Sequence, residues 1–296
     1  MTLLANKGFE KGVSEGADQK LLRSIEMVKS AHHKHLLEEM MNYVTNISWG
    51  TFSAGVFKIF DNGMAFLLNL GHETFLVTAA HVYEGFLAAK AKTENFKCVL
   101  GDIEIYLEEK LICSLGSNVL DIATFKITDS ELSKLKDLKK YPTYGAKSRP
   151  IERALEGNGI VFAGFPGEER ESLAAQEYVF GLYTAMSPVT TSNEGNFTCH
   201  LKRENWIDTI GKGLPIKGYR TGGISGAPAF LYRVSDGGLI TLDLAGVIYE
   251  ANGLHIAEIT QGGVSPSTHL AANSTGVDLI GVSTHLSSSH LLIPSA

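Results

Sequence analysis

The sequence predicts an all-β fold of the barrel or sandwich kind, and three observations support this prediction. From about residue 46 onward, short strand-like runs follow one another, among them TFSAGVFKIF, MAFLLNL, TFLVTAAHV and GLITLDLAGVIYEA. Glycine and polar residues separate the runs, with Asp61-Asn62-Gly63 and Gly71-His72-Glu73 as hairpin-like turns. Few helical patterns stand between them, which disfavours a βαβ fold.

The first 46 residues form a separate N-terminal region. Residues 1–16 are polar and contain glycine, which predicts a flexible segment. From Asp18 to about Val44 apolar residues recur at helical spacing without an interrupting glycine or proline, and Asp18 suits an N-cap. We interpret this stretch as an amphipathic helix that packs on the following domain. A docking or dimer-forming helix is the alternative.

The composition is that of an ordinary globular protein. The chain has 296 residues, 44% hydrophobic and 20% charged, which suffices for a sizeable core. A net charge of −6 lacks the basic excess typical of nucleic-acid binding, so no nucleic-acid partner is expected. Without an apolar leader or a long apolar run, we expect no membrane span and a cytoplasmic location. The cysteines are odd in number and widely spaced, which argues against a disulfide framework: Cys98, Cys113 and Cys199.

Three local motifs carry residues suited to acyl transfer, which needs a nucleophile, a base, a group that fixes the base, and amides for the oxyanion. In FLVTAAHV an apolar strand runs through two alanines to His81, which places the imidazole at the end of the strand. Asp121 stands immediately before the hydrophobic run IATFKI. In TGGISGAP, glycines on both sides of Ser225 free the backbone for a tight bend in which two N–H groups can converge. Taken singly, each has an ordinary explanation: a buried histidine, a turn aspartate and a glycine-rich turn.

In combination, TAAH, DIA and GISGAP resemble, in that order, the trypsin/chymotrypsin-like serine peptidases. The separations of 40 residues from His81 to Asp121 and 104 from Asp121 to Ser225 suit a histidine and aspartate in a first barrel and a serine in a second. The resemblance covers about residues 47–294 and implies a chymotrypsin-like double six-stranded β-barrel over 47–296. The first barrel is expected at about 47–140 and the second at about 155–275. The C-terminal run VDLIGVSTHLSSSHLLI is assigned to a short closing helix.

Carried over residue by residue, the resemblance implies a role for each motif. Ser225 is the nucleophile, His81 is the general base, and Asp121 holds the imidazole in the right tautomer. The backbone N–H groups of Gly223 and Ser225 form the oxyanion hole.

The resemblance also implies where substrate binds. The wall of the primary specificity pocket includes Tyr219, Arg220 and Thr221, and an extended substrate adds a strand along Tyr249, Glu250 and Ala251. A pocket-facing Arg220 favours an acidic side chain at the cleaved position. The alternative is that Arg220 points to solvent or pairs with a local carboxylate.

The chain departs from the animal digestive members of this family at three positions. Ile224 replaces an aspartate that pairs with a new N-terminus, so a preformed or ligand-gated site of the bacterial style fits better than activation by cleavage. Val82 replaces a cysteine, which fits a reducing compartment. Tyr249 replaces a serine near the buried aspartate, which leaves open what supports Asp121.

The predicted function is therefore a serine endopeptidase acting on protein or peptide substrates, with no cofactor and no metal. His32, His33 and His35 lie on differing faces of the predicted helix and indicate a solvated surface rather than a metal site. An α/β-hydrolase is disfavoured because its motif has glycine where Ala227 stands and its residue order differs. The main alternative is a catalytically silent protease-like domain that binds peptides or partner proteins. Activation by a regulatory partner at the N-terminal helix is a further hypothesis.

Overall fold

The structure is a computed structural model that describes residues 36, 39–71, 73–116, 120–136, 142–143, 153–174, 177–193, 195–199, 219–235, 239–250, 255–258 and 284–292. Over these residues the fold is mostly β, and every pairing between its named strands is antiparallel. The predicted all-β class is confirmed at this level.

Seven strands form the first sheet: β1 (Thr45–Ser53), β2 (Val56–Asn69), β3 (Thr74–Thr78), β4 (Phe96–Leu100), β5 (Ile103–Glu104), β6 (Leu111–Leu115) and β7 (Ile122–Lys126). Their order across the sheet is β5-β4-β1-β2-β3-β7-β6. Short 3₁₀ turns occur at Leu107–Lys110 and, later in the chain, at Gly167–Glu169.

Nine strands form the second sheet: β8 (Gly159–Gly164), β9 (Arg170–Ala174), β10 (Glu177–Pro188), β11 (Thr191–Asn193), β12 (Asn196–Thr198), β13 (Pro228–Val234), β14 (Ile240–Glu250), β15 (His255–Glu258) and β16 (Thr284–Leu292). Their order is β11-β12-β15-β14-β13-β8-β10-β16, with β9 paired to β10. Within the described residues neither sheet closes on itself, so the prediction of two closed six-stranded barrels is not confirmed and stays a prediction.

The turn that joins β1 to β2 is Ala54-Gly55, and Asp61-Asn62-Gly63 is not a turn. Ala54 and Gly55 have φ values of 51° and 76°, the positive values that a two-residue hairpin turn with the right twist requires. The predicted Asp61-Asn62-Gly63 turn is wrong because these residues continue β2 and pair with β1. The second predicted hairpin is confirmed, since Asn69 pairs with Thr74; His72 itself lies outside the described residues.

Two helices accompany the first sheet: α1 (Ala80–Lys90) and α2 (Asp129–Lys136). The sequence did not indicate α1, because the apolar run of β3 continues into AAHV and hides the boundary. His81 therefore stands in the first turn of a helix, three residues beyond the end of β3. Thr128 caps α2, since its hydroxyl accepts the N–H of Glu131 at 3.3 Å while the Glu131 carboxylate accepts the N–H of Thr128 at 2.9 Å.

From Asn62 to Leu68 β2 is buried on both faces, and this part of the strand separates two apolar cores. Met64, Phe66 and Leu68 face the core shared with the second sheet, whereas Ala65 and Leu67 face a core enclosed by the first sheet and α1. This strict alternation follows from the period of two along a strand. β2 thus connects the two halves of the molecule.

The chain was predicted to have a helix near each end, and the two predictions have different outcomes. Leu36 and Glu39–Met41 are helical, and the side chains of Leu36, Met40 and Val44 are buried in the shared core, as the packing interpretation predicts. The rest of the predicted N-terminal helix and residues 1–16 lie outside the described residues. The predicted C-terminal helix is wrong, because Thr284–Leu292 forms β16 beside β10. Its three consecutive serines disfavour a helix interior.

Candidate active site

Asp121 holds His81 by two separate contacts. The Oδ2 of Asp121 lies 2.7 Å from Nδ1 of His81, and its Oδ1 accepts the backbone N–H of His81 at 2.8 Å. The aspartate is buried at 3% exposure, while the histidine side chain is 39% exposed. A proton on Nδ1 is favoured by the carboxylate, which leaves the lone pair on Nε2. The pair therefore presents an oriented, solvent-accessible base.

The backbone of Asp121 is held in an uncommon conformation. Its φ is 50°, in the left-handed region that aspartate tolerates better than most residues. Its carbonyl accepts the N–H of Ala80 at 3.1 Å, so backbone and side chain together fasten it to the start of α1. Such a conformation persists where surrounding contacts over-determine it, and it is often found at functional sites.

Ser225 lies in a tight double turn made possible by its neighbours. The N–H of Ile224 bonds to Thr221 O at 3.3 Å, and the N–H of Ala227 bonds to Ile224 O at 3.0 Å. Gly223 and Gly226 have φ values of 98° and 91°, which only glycine adopts readily. Ser225 as a whole is 8% exposed.

This turn packs directly on the strands that lead into His81. A Cβ placed on Gly63 would lie 2.6 Å from Cγ1 of Val82 and 3.3 Å from the carbonyl oxygen of Ser225. The chain segments that carry His81 and Ser225 therefore meet across Gly63. His81 and Asp121 are joined by direct contact, and the backbone of the serine turn lies beside Val82; among the described residues no hydrogen bond joins the Ser225 hydroxyl to the ring of His81.

Gly226 and Thr78 make the same junction tight on its other side. A Cβ on Gly226 would lie 1.9 Å from Met64 O and 2.3 Å from Thr78 Oγ1. The Thr78 hydroxyl, fully buried at the end of β3, donates to Met64 O at 2.6 Å. The sequence pattern around Thr78 does not indicate a role for it at this site.

The two predicted oxyanion donors have no hydrogen-bond acceptor within the described part of the chain. There, neither the N–H of Gly223 nor that of Ser225 donates a hydrogen bond to another protein group. The carbonyl of the preceding Gly222 accepts the N–H of Gly167 at 2.8 Å. Backbone N–H groups without a protein acceptor can stabilise an oxyanion where they converge on one point.

Of the predicted pocket residues, Tyr219 is partly buried, whereas Arg220 faces solvent. The ring of Tyr219 stacks on Tyr183 with centroids 6.1 Å apart. Burial first, and then the carboxylate of Glu169, raise the pKa of Tyr219. The side chain of Arg220 is 86% exposed with its Nε 4.0 Å from Glu168, an arrangement that favours the solvent alternative over the pocket-facing one. Thr221 is half-buried at the start of the serine turn.

The predicted substrate strand lies partly within the described residues. Ile248 exchanges hydrogen bonds with the serine turn, accepting from the N–H of Gly226 at 2.7 Å and donating to Ala227 O at 2.9 Å. Tyr249 is skipped by the pairing with β15, where Ile248 and Glu250 are the paired residues on either side of a bulge. Tyr249 thus adjoins the turn, while Ala251 lies outside the described residues.

One residue that sequence analysis assigned to a turn belongs to this site. Asn62 is buried at 5% exposure, and its Nδ2 donates to Phe165 O at 3.2 Å beneath the serine turn. The signal that could have identified it is the continuous apolar run at residues 64–68 that follows it, which marks a buried strand in which a polar side chain requires a partner.

No group of three or more His, Cys, Asp or Glu side chains in the described ranges could hold a metal ion. His32, His33 and His35 fall outside those ranges. None of the helices in the described part of the chain is both long and apolar enough to cross a membrane. Cys98, Cys113 and Cys199 are all free thiols.

The fold and the site together define a β-rich protein with an oriented His–Asp pair beside a glycine-flanked serine. The sequence matches no protein-family model, and comparison with curated proteins gives no significant match.

Proposed function

We propose that this chain is a serine endopeptidase of the trypsin/chymotrypsin-like kind, with Ser225 as nucleophile, His81 as general base and Asp121 as the residue that orients it. The observation that carries the proposal is the double contact of the buried Asp121 carboxylate with the ring and the backbone of His81. An aspartate placed in this way fixes both the ring orientation and the tautomer of a catalytic base.

The proposed reaction proceeds through an acyl-enzyme. Nε2 of His81 takes the proton from the Ser225 hydroxyl as its oxygen attacks the peptide carbonyl carbon, and negative charge collects on the carbonyl oxygen. The N–H groups of Gly223 and Ser225 stabilise this charge. His81 then gives the proton to the leaving amine, and water hydrolyses the ester with the same base.

The family assignment includes the double six-stranded barrel. In support of it, the two antiparallel sheets each carry part of the proposed triad, His81 and Asp121 beside the first and Ser225 ahead of β13 in the second. β2 faces both cores and connects the halves at the proposed site. The proposed substrate is an extended peptide that pairs along Tyr249–Ala251 beside the serine turn.

Digestion of a mixed peptide library tests the proposal. Wild-type protein should cut internal peptide bonds at reproducible sites found by mass spectrometry, and Ser225→Ala should leave the library intact. Equal activity in the two proteins would point to a contaminant or a different nucleophile. Absence of cutting in both, with peptide binding retained, would favour the silent peptide-binding domain.

A further inference from the structure

The peptide unit between Gly222 and Gly223 carries one of the two proposed oxyanion donors, and its own residues do little to fix its orientation. Both flanking residues lack a Cβ, so rotation of the peptide unit between them meets little steric resistance. A Cβ on Gly222 would find no atom within 4 Å. The orientation of this N–H group must therefore be set by contacts from elsewhere in the chain.

Gly167 supplies the first of these contacts. Its N–H donates to Gly222 O at 2.8 Å. In a trans peptide the C=O and N–H groups point in opposite directions, so this bond turns the N–H of Gly223 away from Gly167. Loss of the bond would free the donor to rotate out of position.

Asn62 supplies the second contact and lies against both Gly223 and Gly167. A Cβ on Gly223 would lie 2.9 Å from Asn62 Nδ2, and one on Gly167 would lie 3.4 Å from Asn62 Oδ1. Its Nδ2 donates to Phe165 O at 3.2 Å, and its Oδ1 accepts from Nη1 of Arg170 at 3.3 Å. The amide group thus holds the 165–170 loop against the Gly222–Gly223 peptide and is itself held by a guanidinium.

Ile224, which follows Gly223, does not orient the Gly222–Gly223 peptide. Ile224 is fully buried and packs on Gly164, where a Cβ would lie 2.9 Å from Ile224 Cγ2. An aliphatic side chain fixes the position of the turn through packing but makes no hydrogen bond to orient the amide.

We propose that Asn62, held in place by Arg170, is a positioning residue that keeps the N–H of Gly223 directed into the oxyanion hole. This inference rests on the proposed function. It assigns to Asn62 an effect on transition-state stabilisation rather than on substrate binding, because Asn62 lies beneath the turn and contacts the reacting atoms only through Gly223.

Asn62→Ala is the direct test. We expect kcat to fall about 10- to 100-fold, less than the loss of an oxyanion donor outright, with KM within about twofold of wild type. The rate at which a fluorophosphonate modifies Ser225 should fall in parallel. Asn69→Ala is the matched control, since it removes an amide of the same strand that also donates at 2.9 Å and accepts at 2.7 Å, far from the serine turn. It should leave kcat unchanged.

Two further variants separate positioning from general loss of structure. Gly222→Ala restricts the rotation of the Gly222–Gly223 peptide, and there is room for its methyl group. Added to Asn62→Ala, it should raise kcat at least about threefold above that of Asn62→Ala alone. Arg170→Met should lower kcat in the same direction as Asn62→Ala, and the two losses should be less than additive because they act through one contact. If Asn62→Ala does not fold, Arg170→Met tests the inference in its place. We expect its kcat to fall about fivefold or more, a smaller loss than that from removing an oxyanion donor altogether.

The inference is overturned if Asn62→Ala or its substitute raises KM at unchanged kcat, or if Asn69→Ala is equally impaired. It is also overturned if Gly222→Ala fails to restore any activity. A wild-type chain that neither cuts peptides nor reacts with the fluorophosphonate refutes the proposed function itself, which distinguishes the two failures.

Discussion

The backbone N–H of Met64 donates to the carbonyl oxygen of Ser225 at 2.7 Å, which joins the central strand of the first sheet to the serine turn of the second half. Met64 directly follows Gly63 in β2 and lies in the part of the strand that is buried on both faces. A small displacement of β2 is therefore transmitted to Ser225 through a backbone contact, with no side chain to absorb it.

Gly63→Ala should damage both stability and activity. The new methyl group would lie 2.6 Å from Cγ1 of Val82, a stiff β-branched side chain, so the segment carrying His81 or the serine turn must shift. We expect a loss of about 1–3 kcal/mol in the free energy of unfolding, together with a lower kcat.

Gly85→Ala is the control for that substitution. Gly85 lies in α1, and a Cβ there would meet Trp49 at an ordinary 3.6 Å. Alanine in a helix interior should raise the free energy of unfolding by about 0.5–1 kcal/mol and leave kcat unchanged. Denaturant unfolding of both variants checks the contrast, and a Gly63→Ala protein as stable and active as wild type would disprove tight packing at the junction.

Asp121→Asn should abolish most turnover while leaving the fold intact. The asparagine can still accept the N–H of His81 through its oxygen, but its NH₂ group then faces Nδ1 and moves the ring proton to Nε2. A protonated Nε2 does not accept the serine proton, and the expected loss in kcat is about 10⁴-fold. Asp129→Asn, at the exposed start of α2, should have no effect on kcat. Retention of more than a tenth of wild-type kcat in Asp121→Asn would remove Asp121 from the proposed mechanism.

Glu131 should make stability depend on pH in the acid range. Burial alone would raise the pKa of Glu131, but hydrogen bonds from Thr128 and Lys110 outweigh it and hold the pKa below its usual value. A lowered folded-state pKa gives a stabilisation that is present above the unfolded pKa of about 4.3 and is lost as the pH falls through the folded value.

Glu131→Gln keeps the cap of α2 without the charge and provides the comparison. Wild type should be the more stable protein near pH 7, and the difference should shrink below about pH 4.3. Urea unfolding at a series of pH values measures it. A difference that stays constant from pH 7 to pH 3 would show that the carboxylate is not stabilised in the fold.

Arg220→Ala should leave cleavage preference unchanged. Its guanidinium is largely exposed and faces Glu168, an ion pair of a kind that contributes about 0–1 kcal/mol. Peptide-library digestion with wild type and variant should therefore give the same profile at the cleaved position. Loss of an acidic preference in the variant would restore the pocket-facing interpretation of Arg220.

The sequence singled out the His81–Asp121 pair, which the structure brings into contact, but not the helix that carries His81. His81 and Asp121 could be selected because each is a side chain suited to proton transfer and each stands at the end of an apolar run. Their contact across 40 residues could not be predicted from spacing, because it depends on α1 and on the left-handed backbone of Asp121.

Asn62 was misassigned for a different reason. Asp-Asn-Gly is a strong local turn signal, but Ala54-Gly55 forms the actual turn and tertiary pairing draws Asn62 into β2. The strand at Thr284–Leu292 was missed because its serine-rich run has no clear period of two. At Asn62 the partner is the neighbouring strand β1, and at Thr284–Leu292 it is the distant strand β10; in both places strand pairing overrides the local preference.

The central claim is that His81 activates Ser225, and fluorophosphonate modification mapped by mass spectrometry tests it most directly. Wild type should carry a single phosphonyl adduct on Ser225, His81→Ala should react at least about 100-fold more slowly on the scale of general-base catalysis, and Ser225→Ala should not react. Modification of His81→Ala at the wild-type rate, or an adduct on any other residue, would contradict the account.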